Sequence, residues 1–409
     1  MDPWLILVLI FLVATQGLEA ASSLLNLRAL QPQPPRELSD LHDPESYKKS
    51  VAYVRANLIL SLFQGGVSTA AMAIFLVAGG FNAVDLFLRS LTQQELVVGL
   101  LFIGIILVFM FLVDLPFTLY KTFVVEERFG FNRTTIRLYA TDLVKMALLI
   151  AVLGGPILAF VLWFFANAGS FAWLYCWAAV SLFSLALQIL APVFILPLFN
   201  KLTPLEEGVV ADSIIDFAKQ QHFPLQGIFT MDGSKRSTKA NAFFTGFGKM
   251  KKVVFFDTLL QQLSPHEIVA VLAHEIGHYK LRHLPKNIAA SLLQGLAMFY
   301  LLSLFLTVDE ISHAFGMEHI SIHASLVFFG LLFSPASMLL SMLFNVLSRK
   351  HEYQADQFAA ASLNSGVPLI SALKKISSTN FTHLTPHPFT VLLQYSHPPL
   401  ISRITKLGS

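Results

Sequence analysis

Seven long apolar stretches constrain this chain more than any other feature. A helix needs about 20 apolar residues to cross the hydrocarbon core of a bilayer. The stretches that meet this length are approximately residues 4–25, 58–78, 96–117, 146–166, 172–196, 287–306 and 323–347. With 55% hydrophobic and only 13% charged residues, against about 25% charged in soluble domains, the chain cannot be a soluble globule. The sequence predicts a mainly α-helical, polytopic membrane protein with seven transmembrane helices and the lipid bilayer as a partner.

The first stretch is the weakest of the seven, because Gln16 and Glu19 interrupt it. A cleavable signal peptide is the alternative, but the segment begins Met1-Asp2-Pro3 and lacks the basic start of such peptides. We therefore expect a retained span.

The basic residues alternate from loop to loop. Segments 26–57, 118–145, 197–286 and 348–409 carry 5, 5, 11 and 6 Lys and Arg residues, whereas the segments between them carry one in all. The positive-inside rule then predicts that these four basic segments are cytoplasmic and that the N-terminus is extracytoplasmic. The net charge of +3 is too small to indicate a nucleic-acid partner.

Several polar residues interrupt the spans, and such groups usually face a bundle interior or a water-filled cavity. They are Gln16, Glu19, Gln64, Asp114, Gln188, Gln294 and Asn345. A hydrated interior and simple hydrogen bonding between helices are both open interpretations.

The pattern divides the chain at residues 199, 286 and 347. Residues 1–199 hold spans one to five, 200–286 a cytoplasmic α+β insert, 287–347 the last two spans, and 348–409 a C-terminal cytoplasmic segment. The insert is expected to contain a helix over 205–221 and strands over 227–231, 241–245 and 252–257. A second helix is expected to begin at Ser264, with a capping box to Glu267 and Pro265 in its first turn.

That second helix contains His274-Glu275-x-x-His278. Histidines at i and i+4 lie on one helix face, so both imidazoles can reach a single Zn²⁺. Glu275 lies close enough to accept a proton from the attacking water. The motif is short and also occurs by chance, and two ordinary surface histidines are the alternative.

A catalytic zinc needs a third protein ligand, and Leu281 and Leu284 occupy the positions where a longer form of the motif has Gly and His. Arg349, Glu352 and Asp356 follow the seventh span at one-turn spacing. A carboxylate ligand, an acidic outer partner and a cation on one helix face fit a metal site. Taken alone, this segment also fits a charged turn at the membrane exit.

In these motifs and those that follow, the chain resembles the CAAX prenyl protease 1 family, integral-membrane zinc endopeptidases of the gluzincin type. The resemblance covers nearly the whole chain. Its motifs are Leu115–Phe117, Thr122–Asn132, Asn241–Gly246, His274–His278, Arg349–Asp356, Leu384–Pro388, and Tyr395–Leu400 with Arg403.

The resemblance implies one Zn²⁺ per chain, held by His274, His278 and Glu352, with Glu275 as the catalytic base. Asp356 would orient the first histidine, and Arg403 would brace the ligand helix.

It also implies that His397 is a second oxyanion donor and that an edge strand binds the extended substrate peptide. The residues of that strand are Asn241, Ala242, Phe243, Phe244 and Thr245. Structural roles for His397, Arg403 and the strand are the alternatives. The family fold is seven helices around a chamber capped by the zinc domain.

The implied substrate is a prenylated CAAX protein that loses its last three residues. The implied location is the endoplasmic reticulum membrane in a eukaryote, or the inner membrane in a bacterium. A quality-control protease with the same site and a transporter with a structural zinc are the competing hypotheses.

Four further histidines, His283, His313, His319 and His323, are expected to be ordinary polar residues. His283 follows His278 by five residues, which predicts that it lies off the metal-facing side of the helix.

Overall fold

The computed structural model describes residues 2–39, 43–245 and 251–408. In the described residues, seven helical segments are long and apolar enough to cross a membrane, as predicted. They are Pro3–Arg28, Pro44–Val77, Glu95–Glu126, Ile136–Asn167, Gly169–Phe199, His283–Phe305 and Ile322–Ser362. The mainly helical, seven-span prediction is confirmed.

The elements are numbered in chain order. The α-helices are α1 Pro3–Arg28, α2 Pro44–Val77, α3 Gly80–Leu91, α4 Glu95–Tyr120, α5 Ile136–Leu149, α6 Gly155–Asn167, α7 Ala172–Leu190, α8 Leu196–Phe199, α9 Val209–Gln220, α10 Asp257–Leu260, α11 Pro265–Lys280, α12 His283–Phe305, α13 Asp309–Ala314, α14 Ile322–Ser362, α15 Val367–Thr379, α16 Pro388–Gln394 and α17 Leu400–Gly408. The strands are β1 Leu202–Pro204, β2 Leu225–Met231, β3 Ala242–Thr245 and β4 Lys251–Phe256.

Three of the spans contain a wide π-helical turn. These turns are Lys121–Glu126 after α4, Ile150–Gly154 between α5 and α6, and Ala191–Ile195 between α7 and α8. Pro116, Pro156 and Pro192 lie in or near them, and a proline without a backbone N–H loosens the regular i to i−4 ladder.

Helix α14 is much longer than a bilayer requires. Its 41 residues span roughly 60 Å at 1.5 Å per residue, about twice the thickness of the hydrocarbon core. The helix therefore continues past the predicted span 323–347 and carries Glu352 and Asp356 beyond it without a break.

The described residues of the insert between the fifth and sixth spans fold around a four-stranded sheet of order β1-β2-β4-β3. The central pair, β2 and β4, is parallel, and the two outer strands are antiparallel to their neighbours. Strand β3 lies at one end of this order and pairs with β4 from Ala242 opposite Phe255 to Thr245 opposite Lys252.

The core of the insert joins the sheet to α9, α11 and α15. Ile214, Phe255 and Ile268 are almost completely buried in it. Helix α11 begins with the predicted capping box between Ser264 and Glu267.

Helices α11 and α14 cross at very short distance, and Gly277 makes this possible. A Cβ at Gly277 would lie 3.0 Å from the Ala355 Cα and 3.2 Å from its carbonyl oxygen. The missing side chain therefore lets the histidines of α11 approach the carboxylates of α14.

The first span is tied to the C-terminal segment by buried hydrogen bonds. The Ser22 hydroxyl donates to Thr390 Oγ1 at 2.9 Å, and Thr390 Oγ1 lies 3.0 Å from the Ser22 carbonyl oxygen. The His387 amide donates to Asn26 Oδ1 at 2.9 Å. These contacts make α1 part of the folded bundle and argue against its being a cleaved signal peptide.

The polar residues inside the spans make two kinds of contact. Gln64 Nε2 and the Ser68 hydroxyl both donate to Asp114 Oδ1, at 3.1 and 2.7 Å, which joins α2 to α4. Gln64 also lines a cavity of about 350 Å³ with Asn57, Lys121 and other polar side chains. Gln64 therefore hydrogen-bonds between helices and also faces a cavity with polar side chains in its lining.

Candidate active site

Three side chains from α11 and α14 bring metal-binding atoms together. One donor atom from each of His274, His278 and Glu352 lies within 4.8 Å of the other two. The two histidine Nε2 atoms are 3.2 Å apart. Glu352 Oε2 lies 3.5 Å from His274 Nε2, and Glu352 Oε1 lies 3.3 Å from His278 Nε2.

These separations fit a tetrahedral metal ion. Ligands about 2.0 to 2.2 Å from a tetrahedral centre are roughly 3.3 to 3.6 Å from one another. Glu352 Oε2 is buried and has no hydrogen-bond partner among the described residues. Two imidazoles and one carboxylate form the donor set of many catalytic zinc sites, so these residues suit such an ion.

Asp356 contacts the ring nitrogen of His274 that faces away from the cluster, and Arg403 binds Asp356. Asp356 Oδ1 is 2.9 Å from His274 Nδ1, and Arg403 grips the same carboxylate with Nε at 2.8 Å and Nη2 at 2.6 Å. Burial alone would lower the pKa of His274, but the hydrogen bond to Asp356 and the nearby Glu352 carboxylate raise the pKa to about 9. The surroundings of this ring therefore favour positive charge, which a bound cation supplies.

Glu275 lies between the two histidines on α11 and is half-buried. Its pKa is raised, mainly by burial and also by the Glu352 carboxylate, while His274 and His278 oppose the shift. A carboxylate with a raised pKa beside a metal-binding cluster is suited to accept and return a proton.

His397 lies beside the cluster, and Arg349 bonds the backbone of the segment that precedes His397. His397 Nε2 is 3.4 Å from Glu352 Oε1, and its side chain is 66% exposed, so it can reach both the site and a substrate. Arg349 contacts none of the three donor residues in the described contacts. It instead donates to the carbonyl oxygens of Val391 and Tyr395, so it anchors the segment that carries His397. The predicted place of Arg349 beside the metal site stays a prediction, and these two hydrogen bonds are the contacts that the structure shows for it.

The expected substrate strand is β3, at the end of the sheet. Asn241 precedes it and is exposed, with its carbonyl oxygen accepting from the Phe256 amide at 3.0 Å. Phe244 packs on Phe223, and Phe223 on Tyr279, with ring centroids 5.2 and 5.1 Å apart. This aromatic series joins β3 to the residue after His278. Gly246, the last residue of the matching motif, lies outside the described residues.

His283 is a site residue that the sequence interpretation missed. Its side chain is almost fully buried, and its Nδ1 lies 2.9 Å from His278 Nδ1. The spacing argument assumed a continuous helix, whereas α11 ends at Lys280 and Arg282 has φ 55°. This left-handed residue turns the chain so that His283 faces back toward α11.

Comparison with known proteins agrees with this geometry. Residues 23–201 match the family model for the CAAX prenyl protease N-terminal region with five membrane helices, and residues 204–409 match that of peptidase family M48. CAAX prenyl protease 1 of Saccharomyces cerevisiae is 34% identical over 99% of this chain and 95% of its own. The Homo sapiens homologue of that protease is 31% identical over 91% of this chain and 88% of its own.

The chain belongs to the CAAX prenyl protease 1 family. The crystal structure of S. mikatae Ste24p matches it with a TM-score of 0.94 and 32% identity, covering 100% of both chains. The resemblance deduced from the motifs is therefore confirmed, together with the chambered seven-helix fold. As a member of this family the protein is a membrane-embedded metallopeptidase that acts on peptide or protein substrates.

Proposed function

We propose that this protein is a zinc endopeptidase that cleaves prenylated CAAX proteins near their C-terminus and releases the last three residues. The observation that carries the proposal is the cluster of His274, His278 and Glu352 with Glu275 beside it. It occurs in a chain that matches a CAAX prenyl protease 1 over 99% of its length and a CAAX prenyl protease 1 homologue over 91%.

His274, His278 and Glu352 would hold the zinc ion through two Nε2 atoms and a carboxylate. When bound, the ion supplies Lewis acidity that polarises the scissile carbonyl and acidifies the attacking water. Asp356 fixes the proton of His274 on Nδ1, which leaves the Nε2 lone pair directed toward the cluster. Arg403 holds Asp356 in place.

Glu275 would take a proton from the attacking water and return one to the leaving amine. His397, exposed and next to Glu352, would donate a hydrogen bond to the oxyanion that develops on the scissile carbonyl.

The substrate peptide would add to the sheet beside β3. The backbone groups of residues 241–245 would pair with the extended peptide, and side-chain pockets would select the residues around the cleaved bond. Its position at the end of the sheet order supports this role.

The membrane orientation follows from the charge distribution. We propose that residues 200–286 and 348–409 form the active site on the cytoplasmic side, with spans over 1–199 and 287–347 and an extracytoplasmic N-terminus. The corresponding location is the endoplasmic reticulum membrane in a eukaryote, or the inner membrane in a bacterium.

The decisive experiment compares cleavage of a farnesylated CAAX peptide with the same peptide unprenylated, using purified protein. The Glu275→Gln variant, which keeps the metal-binding side chains, serves as the blank. We expect strong preference for the farnesylated peptide and no cleavage by the variant. Equal cleavage of both peptides would favour a quality-control protease, and no cleavage by metal-loaded wild type would favour a structural zinc in a transporter.

A further inference from the structure

The second metal-binding histidine has a buried partner that mirrors Asp356 behind the first. Behind His278 lies His283, with the two Nδ1 atoms 2.9 Å apart. The other nitrogen of His283, Nε2, lies 3.0 Å from Gln354 Oε1. The three side chains form a chain of hydrogen bonds that leads from α14, through the first residue of α12, to α11.

Gln354, at one end of this series of hydrogen bonds, determines which nitrogen of each histidine carries the proton. An amide oxygen only accepts hydrogen bonds, so His283 Nε2 carries the proton that it donates to Gln354. In a neutral imidazole the other nitrogen is then an acceptor, so His283 Nδ1 receives the proton of His278 Nδ1. His278 Nε2 is left with its lone pair, directed toward Glu352 and His274.

Packing holds the rings in the required planes. The His351 ring stacks on His283 with centroids 4.0 Å apart and an interplanar angle of 10°. The left-handed conformation of Arg282 orients His283 toward α11. His283 is 1% exposed, so water does not replace its hydrogen bonds.

We propose that Gln354 and His283 are positioning residues that fix the tautomer and orientation of His278 as a metal ligand. The inference rests on the proposed zinc site. The two histidine ligands then have different hydrogen-bond partners on Nδ1. The partner of His274 is the anionic Asp356, and the partner of His278 is the neutral His283. The neutral His283 adds no charge to a site that already contains the carboxylates of Glu275, Glu352 and Asp356.

The first test measures the Zn²⁺ dissociation constant of full-length protein by competition with a chelator. His283→Phe keeps a flat ring for stacking on His351 but removes the acceptor, and we expect affinity to fall about 10- to 100-fold. His283→Asn places a carbonyl oxygen near the lost Nδ1 and is expected to recover most of that loss.

The second test changes Gln354, at the other end of the series of hydrogen bonds, and does not depend on the folding of the His283 variants. Gln354→Glu keeps an acceptor and is expected to retain wild-type affinity, whereas Gln354→Met keeps the shape without the acceptor and is expected to lose affinity. Gln357→Met, an exposed position on the same helix, is the matched control and should behave as wild type.

The outcomes separate this inference from the proposed function. Equal affinity of wild type, His283→Phe and Gln354→Met would overturn the positioning role while leaving the zinc site intact. Equal losses in His283→Phe and His283→Asn, or in both Gln354 variants, would also overturn it, because packing and not hydrogen bonding would then be the cause. A wild-type protein that binds no Zn²⁺ would instead refute the metal site itself.

Discussion

In the described residues, two regions each place a buried histidine and a buried aspartate beside an arginine, and one of them also brings together the donor atoms that could hold a metal ion. At the peptidase site, Asp356 bonds His274 Nδ1 and is held by Arg403. Between α3 and the start of α14, Asp85 bonds His323 Nε2 at 2.9 Å and is held by Arg89 at 2.7 Å.

The difference lies in what the free ring nitrogen faces. His274 directs Nε2 toward other donor atoms, one of which, Glu352 Oε2, has no hydrogen-bond partner among the described residues. His323 uses Nε2 for both Asp85 and Ser321, and its Nδ1 would be 3.3 Å from a Cβ added at Gly99. The same three residue types therefore orient a candidate metal ligand, His274, in the peptidase region. At His323 they join α3 to the start of α14.

The largest expected effect separates the two regions by metal content. Glu352→Gln removes a charged donor from the cluster, so we expect loss of bound zinc and of cleavage. Glu95→Gln changes the carboxylate paired with Arg89, next to Asp85 and His323. This variant should keep its bound zinc and its cleavage activity. Metal analysis of the purified variants together with peptide cleavage checks this, and metal loss in Glu95→Gln would remove the distinction.

The two arginines provide the next comparison. Arg403→Leu leaves Asp356 buried and without its cation, which we expect to cost about 3–5 kcal/mol and to weaken zinc binding. Arg89→Leu should cost less, because the Arg89 side chain is 18% exposed and that of Arg403 9%, and zinc affinity should not change. Thermal unfolding in detergent and chelator competition measure the two quantities, and equal zinc affinities in both variants would contradict the prediction.

Acid should lower the stability of the peptidase region by protonating Glu267. Burial raises the pKa of this carboxyl, but hydrogen bonds from Lys375, Ser371 and Ser264 outweigh that effect and lower it from 4.5 to about 2. Because the folded-state pKa is the lower one, the stabilisation is complete above pH 4.5 and is lost as pH falls from 4.5 toward 2. It amounts to at most about 3 kcal/mol.

Melting temperatures of wild type and Glu267→Gln across that pH range test the prediction. The variant should be less stable at neutral pH and should show a flatter decline in acid. Parallel curves for the two proteins would show that Glu267 is not the responsible group.

The smallest expected effect concerns the crossing of α11 and α14. Gly277→Ala forces a Cβ against the backbone of Ala355, which we expect to cost about 1–3 kcal/mol and to weaken zinc binding by separating the histidines from Glu352. Gly330→Ala on α14 is the control, since among the described residues a Cβ there would meet no heavy atom within 4 Å outside its own stretch of helix. A Gly277→Ala protein with normal stability and zinc affinity would show that the crossing can relax.

Much of the fold was predictable because it depends on short segments. A 20-residue apolar run must cross the bilayer wherever it packs, so seven spans followed directly from the sequence. The β3 prediction of 241–245 differs from the structure by one residue. The helix α3 was not predicted, because its 12 residues are too short to span and follow α2 after only two residues.

The candidate site was predictable in part. The relation of His274 to His278 is fixed by one helical turn, and the continuation of the last span carries Glu352 on the same helix as Asp356. The contact between Arg403 and Asp356, 47 residues apart, entered the prediction only through the family resemblance. The hydrogen bonds of Arg349 to Val391 and Tyr395 were not predicted, because these residues belong to a segment whose position no local pattern indicates.

The sequence alone determined the number of spans, the alternation of basic loops and the pairing of two histidines on one helix face, since each depends on the identity and spacing of nearby residues. Tertiary structure decided which carboxylate meets those histidines, through the close approach at Gly277 and Ala355. It also decided that His283 supports the site and that His323 does not. The direction of a buried histidine depends on one backbone angle and on neighbours distant in sequence, and neither is written in the spacing of the residues.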